Sequence, residues 1–292
     1  MIILNKYGFY ELEQKPSEED LKKYYEEKYY QDGSIATYRH EYPKEEKEYF
    51  NNKIAQKYQF LLDQKILEQE TPYRLLDVGC GEGFTLNFFY EKGWDVVGLD
   101  YSNDGCKRFH PQCLDHFIEG DIYQELQQLI KSKEVYDLIW LDNVLEHVLD
   151  PLFLLQQLQS IVSAQGVLII EVPNDFSVVQ QHLYNKGTLK EQNWIAIPDH
   201  ISYFNREGLR NICTTAGWEN MEIIGDFPID WFLFNEHSNY YQNKSTGKAA
   251  HQARVELENI LHQTSPQKTL QLYKALADLG MGRQLIGFFK KG

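Results

Sequence analysis

The residues whose types and spacing could do chemistry begin at Asp77. Asp77-Val78-Gly79-Cys80-Gly81-Glu82-Gly83 follows the apolar pair Leu75-Leu76 and leads through Phe84 into a helical pattern. Glycines at alternate positions let a backbone turn sharply and approach a ligand with no Cβ in the way, and the helix beyond offers unpaired N–H groups. Asp100 closes a second apolar run, Val96-Val97-Gly98-Leu99, where a carboxylate can accept both hydroxyl protons of a ribose. Asp121 closes a third, Phe117-Ile118-Glu119-Gly120, where a polar side chain can address an adenine amino group. The glycine spacing is GxGxG, not the GxGxxG that makes room for a pyrophosphate. Asp77, directly before the glycines, would repel a diphosphate and suits a ligand with a positive amino group.

Further along, Asn143-x-x-Glu146-His147 follows a fourth apolar run, where a cleft opens at the carboxyl ends of parallel strands. At i, i+3 and i+4 these side chains would share one face of a helix. His200, in Pro198-Asp199-His200-Ile201-Ser202-Tyr203-Phe204, follows the fifth run by a long loop and can converge on the same cleft. A histidine there can take a proton from a hydroxyl. His200, in a polar loop, is the first candidate for that catalytic role and His147 the second. Arg283, just before the last apolar run, is placed to hold a carboxylate or phosphate. Tyr24, Tyr25, Tyr29, Tyr30, Tyr38, Arg39 and His40 near the start suit a sugar or, equally, an aromatic acceptor. So do Trp231, Phe232, Phe234, Asn235, Tyr240, Tyr241, His251 and Arg254 later on, although packing accounts for most of them one by one.

The elements that must position these groups fall into three regions. Residues 1–70 are charged and Tyr-rich and predict an N-terminal helical lid or appendage. Ser17 is the expected N-cap of a first helix, and a second spans Lys44 to Glu70, with Phe50, Ile54, Tyr58, Leu61, Leu62 and Ile66 at helical spacing. From Tyr73 to about Gly225 strands and helices alternate. The strands are expected at Tyr73–Val78, Asp95–Leu99, His116–Ile118, Tyr136–Leu141, Val167–Val172 and Met221–Ile224, and the alternation predicts an α/β fold with a parallel sheet covered on both faces. Residues 226–282 turn helical again before a last strand, Gln284–Lys290. They are too long for a simple connection and read as a structured helical insertion within a 71–292 domain.

The motif series DVGCGEG, GLD, GD, YDLIWLDNVLEHVLDP and GVLIIEVPN resembles that of class I S-adenosylmethionine-dependent methyltransferases, over about Tyr73 to Asn174. The resemblance implies a Rossmann-like seven-stranded sheet whose last strand is antiparallel, with S-adenosyl-L-methionine as cofactor. It implies that Asp77, Gly79, Gly81 and Gly83 cradle the methionine part and that Asp100 binds the ribose. Tyr101 would lie against the ribose or adenine, Asp121 and Ile122 would flank the adenine, and Asp142 would border the sulfonium. Asn143, Glu146, His147 and His200 are similar to the ExxEH-plus-His metal set of ubiquinone-pathway and small-RNA methyltransferases. Asn143 stands where that set has its first Glu, so a divalent metal is possible but a metal-free reading is preferred. Looser likeness at the beginning (YGFYELEQKPSEEDLKKYYEEKYYQ) and the end (GKAAHQAR, LGMGRQLIGFFKK) is to methyltransferases of bacterial surface-polysaccharide gene clusters. It implies a hydroxyl of a sugar, nucleotide-sugar or glycolipid as acceptor. A quinone or phenolic acceptor, or a non-catalytic cofactor-binding regulator, is the alternative.

The formal net charge of −14 argues against nucleic acid and anionic membrane surfaces as partners, because both are bound by clustered Lys and Arg. Cys80, Cys106, Cys113 and Cys213 show neither CxxC nor zinc-finger spacing and read as reduced, buried thiols. With no signal-peptide pattern and no apolar run long enough to span a bilayer, a cytoplasmic protein without membrane insertion is expected. The oligomeric state is left open.

Overall fold

In the computed structural model, which describes residues 1–17, 19–21, 23–24 and 41–292, seven strands form one sheet in the order β5-β4-β3-β6-β7-β10-β9. They are β3 (Arg74–Val78), β4 (Asp95–Asp100), β5 (Phe117–Glu119), β6 (Tyr136–Asp142), β7 (Val162–Pro173), β9 (Trp218–Gly225) and β10 (Gln284–Lys291). The pairs β3–β4, β3–β6, β4–β5 and β6–β7 are parallel. β10 is antiparallel to both β7 and β9, as the seven-stranded expectation requires. The central strands are apolar on both faces because helices cover both.

On one face, α1 (Lys44–Asp63) and α2 (Phe84–Tyr90) lay Ile54, Tyr58, Leu61, Leu86 and Phe89 over Leu75, Leu138 and Trp140. On the other, α4 (Ile122–Lys131), α5 (Pro151–Ser160) and α7 (Arg206–Thr215) cover Leu76, Ile139 and Ile170, after the short α3 (Asp104–Phe109). The insertion contributes α8 (Gly247–Thr264) and α9 (Pro266–Asp278), following a 3-10 turn at Ile229–Phe234. α6 (Val178–Asn185) follows β7. No helix among the described residues is long and apolar enough to cross a membrane.

Two features depart from the sequence pattern. The chain opens on a hairpin, β1 (Ile2–Leu4) with β2 (Tyr10–Leu12), to which β8 (Ser202–Tyr203) adds a third strand, so the N-terminal region is not purely helical. These strands are only two or three residues long, below the length at which alternation can be recognised. The helix expected to reach Glu70 stops at Asp63, with Lys65 at φ 56. Ser17 does cap: its Oγ accepts from Asp20 N at 3.1 Å. Tyr25, Tyr29, Tyr30, Tyr38, Arg39 and His40 lie outside the described residues.

Candidate functional site

The glycine loop is pinned by the strand beside it. Gly79 N and Cys80 N both donate to Leu99 O, at 2.7 and 3.2 Å, and Asp100 Oδ2 accepts from Gly81 N at 2.8 Å. Gly79 sits at φ +73, where a Cβ would also run into the Val144 side chain. Gly83, at φ +78, forms the left-handed entry to α2, with the Cys106 sulfur 3.0 Å from where its Cβ would be. Gly79 therefore disfavours a side chain on two counts, conformation and space, and Gly83 on conformation, with the Cys106 sulfur crowding it.

Three carboxylates wall this cradle. Asp77 is 3% exposed; burial first, then the nearby Asp142 and Asp100, push its carboxyl well above the usual range. Burial likewise raises Asp100, against the pull of its backbone hydrogen bonds. Like charges crowded in a dry site make an added cation favourable there. Tyr101 donates to Asp121 Oδ2 and keeps 40% of its surface exposed. Asp121 uses its other oxygen to cap α4, accepting from Gln124 N at 2.9 Å, and Ile122 opens that helix against the core.

At the end of β6, Asp142 meets a group the sequence reading did not single out. Lys57 of α1, with its side chain 1% exposed, lies 2.5 Å from Asp142 Oδ2 and 2.6 Å from Glu171 Oε2. Lys53, one turn earlier, lies 2.5 Å from Glu171 Oε1. Burial alone would raise Glu171, but Lys53 and Lys57 outweigh it and hold that carboxyl at about 2. The signal was present: Lys57 falls between Ile54 and Leu61 on the apolar stripe of its helix, where a charge must be paired.

Asn143, Glu146 and His147 do not share a helix face. The segment after β6 is a turn, Asn143 has φ 55, and the next helix starts only at Pro151 behind its cap Asp150. Asn143 Oδ1 accepts instead from Gln284 Nε2 at 3.3 Å. The turn still gathers Glu146, His147 and His200, whose ligand-capable atoms all lie within 4.8 Å of one another. The loop bearing His200 is fastened there because Ile201 N and Ser202 N both donate to Glu146 O, at 2.8 and 3.1 Å. Glu146 is 1% exposed, so burial, reinforced by Asp175, Glu171 and Asp199, pushes its carboxyl well up. Its Oε2 has no hydrogen-bond partner among the described residues.

His147 Nδ1 lies 2.7 Å from Asp199 O, a carbonyl that can only accept, which assigns the proton to Nδ1 and the lone pair to Nε2. The His200 ring stands edge-on to it at 4.8 Å. One carboxylate with two imidazoles is a donor set that suits a divalent cation, and the unpartnered Glu146 oxygen fits such a use.

Two residues beyond β7, Asp175 is 1% exposed, and burial pushes its carboxyl up to about 7 although Arg283 pulls it down. Arg283 lies 3.5 Å from Asp175 Oδ1 and also faces Asp230, Tyr241 and Tyr240. Its charge is turned toward this group of acid and tyrosine side chains.

Residues 45–223 match a family described as a methyltransferase domain. Among curated proteins, the ubiquinone biosynthesis O-methyltransferase of Aliivibrio fischeri strain MJ11 is 29% identical over 103 residues, 35% of this chain and 44% of that protein. The mitochondrial ubiquinone biosynthesis O-methyltransferase of Bos taurus is 25% identical over 198 residues, 63% of this chain and 51% of that protein. The chain spans about half the length of these curated relatives. Among solved structures, a SAM dependent methyltransferase from Archaeoglobus fulgidus aligns at 18% identity and TM-score 0.49, covering 82% of this chain and 94% of that one.

Proposed function

We propose, from the premise that this chain belongs to the methyltransferase-domain family, that it transfers the methyl group of S-adenosylmethionine to a hydroxyl oxygen of a small-molecule acceptor. The observation that carries the reading is the glycine cradle walled by Asp77, Asp100 and Asp142, built for a nucleoside-bearing cation. When bound, the cofactor supplies an electrophilic methyl on a positive sulfur. Asp77, Gly79, Gly81 and Gly83 hold the methionine part, Asp100 the ribose, and Tyr101, Asp121 and Ile122 the adenine side, with Asp142 bordering the sulfur. His200 is the first candidate to take the single acceptor proton and His147 the second; the Asp199 carbonyl supports His147 by holding its proton on Nδ1 and leaving the Nε2 lone pair as the basic one. The region 1–70 and the insertion 226–282 cover the acceptor side, and the reaction is cytoplasmic.

For the acceptor we favour a sugar hydroxyl. Trp231 and Phe234 of the insertion, 49% and 52% exposed, offer open aromatic faces of the kind that suit a sugar ring. A phenolic acceptor is the second reading, favoured by the two relatives named above and by the Glu146, His147 and His200 group, where a divalent ion would polarise the oxygen. Methyl release measured across free sugars, sugar nucleotides, quinone precursors and phenols tests this. Turnover only with phenols would replace the sugar reading, and turnover with none would leave the site without an acceptor role.

A further inference from the structure

Arg283 stands just before β10, beside the end of β7, with Asn174 N donating to its carbonyl at 2.9 Å. The next residue, Gln284, touches Asn143, which follows Asp142 at the cofactor end of the cleft. On its other side Arg283 meets Asp175, whose charge reaches Glu146 in the group with His147 and His200. The guanidinium is thus set between the cofactor end and the histidine pair. It carries five N–H donors in a planar fork that fits a carboxylate with two parallel hydrogen bonds. Among the described residues its side chain makes one hydrogen bond, to Asp175 at 3.5 Å, the far limit of such a contact. None of its other nitrogens is a buried atom without a partner, and 22% of the side chain is exposed, so the fork opens to solvent. Tyr241 of the insertion faces the same guanidinium, and its hydroxyl is neither buried without a partner nor bonded to any described residue. Fork and hydroxyl are two adjoining sets of donors with little to donate to.

The acids nearby decide which anion the fork takes. Asp230 spends its oxygens on Tyr240 OH at 3.0 Å and Gln180 Nε2 at 3.3 Å, and it forms no ion pair among the described residues. Asp175 makes only the long approach, and burial already favours its neutral form. Two acids this near oppose a doubly charged phosphate more than a carboxylate, which brings one charge and matches the fork. We propose that Arg283 and Tyr241 form the specificity site for a carboxylate carried by the acceptor, so that the substrate is a hydroxy acid with its hydroxyl toward His200 and His147. This deepens the acceptor reading above and rests on it. The shared chemistry is a hydroxyl and a carboxylate on one small molecule, a sugar acid on the first reading and a phenolic acid on the second.

The test is calorimetric titration of the whole chain, first with S-adenosylhomocysteine, so that failure of the cofactor reading shows before any acceptor probe is added. Glucuronate against glucose and protocatechuate against catechol follow, with and without that ligand, the members of each pair differing in one carboxylate. The acid of at least one pair should bind about tenfold tighter than its neutral partner, and which pair does so tells sugar from phenol. Arg283→Gln should bring that ratio to about one. Tyr241→Phe, which keeps the ring in place and decides the matter should Arg283→Gln not fold, should lower it about threefold with the neutral partner bound as before. A purely structural role would weaken acid and neutral probe alike and leave the ratio as it was, which would overturn the proposal. Absence of any preference in wild type, binding of none of the probes included, would overturn it too. Tighter binding of a hexose phosphate than of glucuronate would assign the fork to phosphate and overturn the choice of a carboxylate.

Discussion

Lys57 places its ammonium 2.5 Å from Asp142 Oδ2, and with 1% of its side chain exposed it is a charge buried from a helix into the end of a sheet. The same ammonium lies 2.6 Å from Glu171 Oε2, so one cation ties α1 to both β6 and β7. The helix is thereby fixed over the cofactor end of the cleft by charge as well as by the packing of Ile54, Tyr58 and Leu61.

Removing that cation should be costly. Lys57→Met leaves Asp142 and Glu171 sharing only Lys53, and breaking a buried pair from one side typically costs about 3–5 kcal/mol. Denaturant unfolding should show a loss of that order, against about 0.5 kcal/mol or less for the exposed control Lys131→Met. A loss no larger than the control would mean the lysine is not part of the scaffold.

Asp175 gives stability a pH dependence of known sign. Burial raises its carboxyl to about 7, so the folded state holds that proton more tightly than the unfolded chain does. Its contribution favours the fold at low pH and is lost as pH rises from the ordinary carboxylate range through about 7, levelling off above. Thermal unfolding followed over that window should show a decline that Asp175→Asn flattens. Glu171 runs oppositely: held at about 2, it supports the fold above the ordinary range and loses that support only as pH falls toward 2.

Gly79→Ala meets two obstacles, a left-handed backbone and the Val144 side chain. Cofactor binding should fall by more than tenfold, and Val144→Ala in the same chain should restore only part of it, because the backbone term of about 1 kcal/mol or more remains. Full restoration would mean that crowding alone forbids a side chain there.

The pattern of the sheet was readable because its strands are continuous apolar runs separated by amphipathic helices, so β3, β4, β6 and β10 fall where periodicity put them. The glycine loop was readable because the left-handed backbone at Gly79 and Gly83 is marked locally by residue type. What escaped depended on contacts far apart in sequence. Asn143, Glu146 and His147 have helical spacing, but Asn143 adopts a left-handed conformation and its amide pairs with Gln284, which no local pattern reveals. Lys57 stands on an apolar stripe and could have been flagged, yet its partners Asp142 and Glu171 come from β6 and β7. Asp175 looks like any acid after a strand until its burial is known.

The histidine pair can be separated from cofactor binding. With an acceptor that supports turnover, His200→Ala should lower kcat by about 10²–10⁴-fold while the affinity for S-adenosylmethionine stays unchanged. Chelation should leave wild-type turnover intact if the histidines act as bases; loss of turnover restored by added divalent metal would assign Glu146, His147 and His200 to an ion instead.

The central claim is the identity of the cofactor, and ligand-induced thermal stabilisation tests it most directly. S-adenosylhomocysteine at saturating concentration should raise the melting temperature of the wild-type chain, NAD should not, and Asp100→Ala should remove most of the shift while still melting as a folded protein. Stabilisation by NAD without any by S-adenosylhomocysteine would contradict the account.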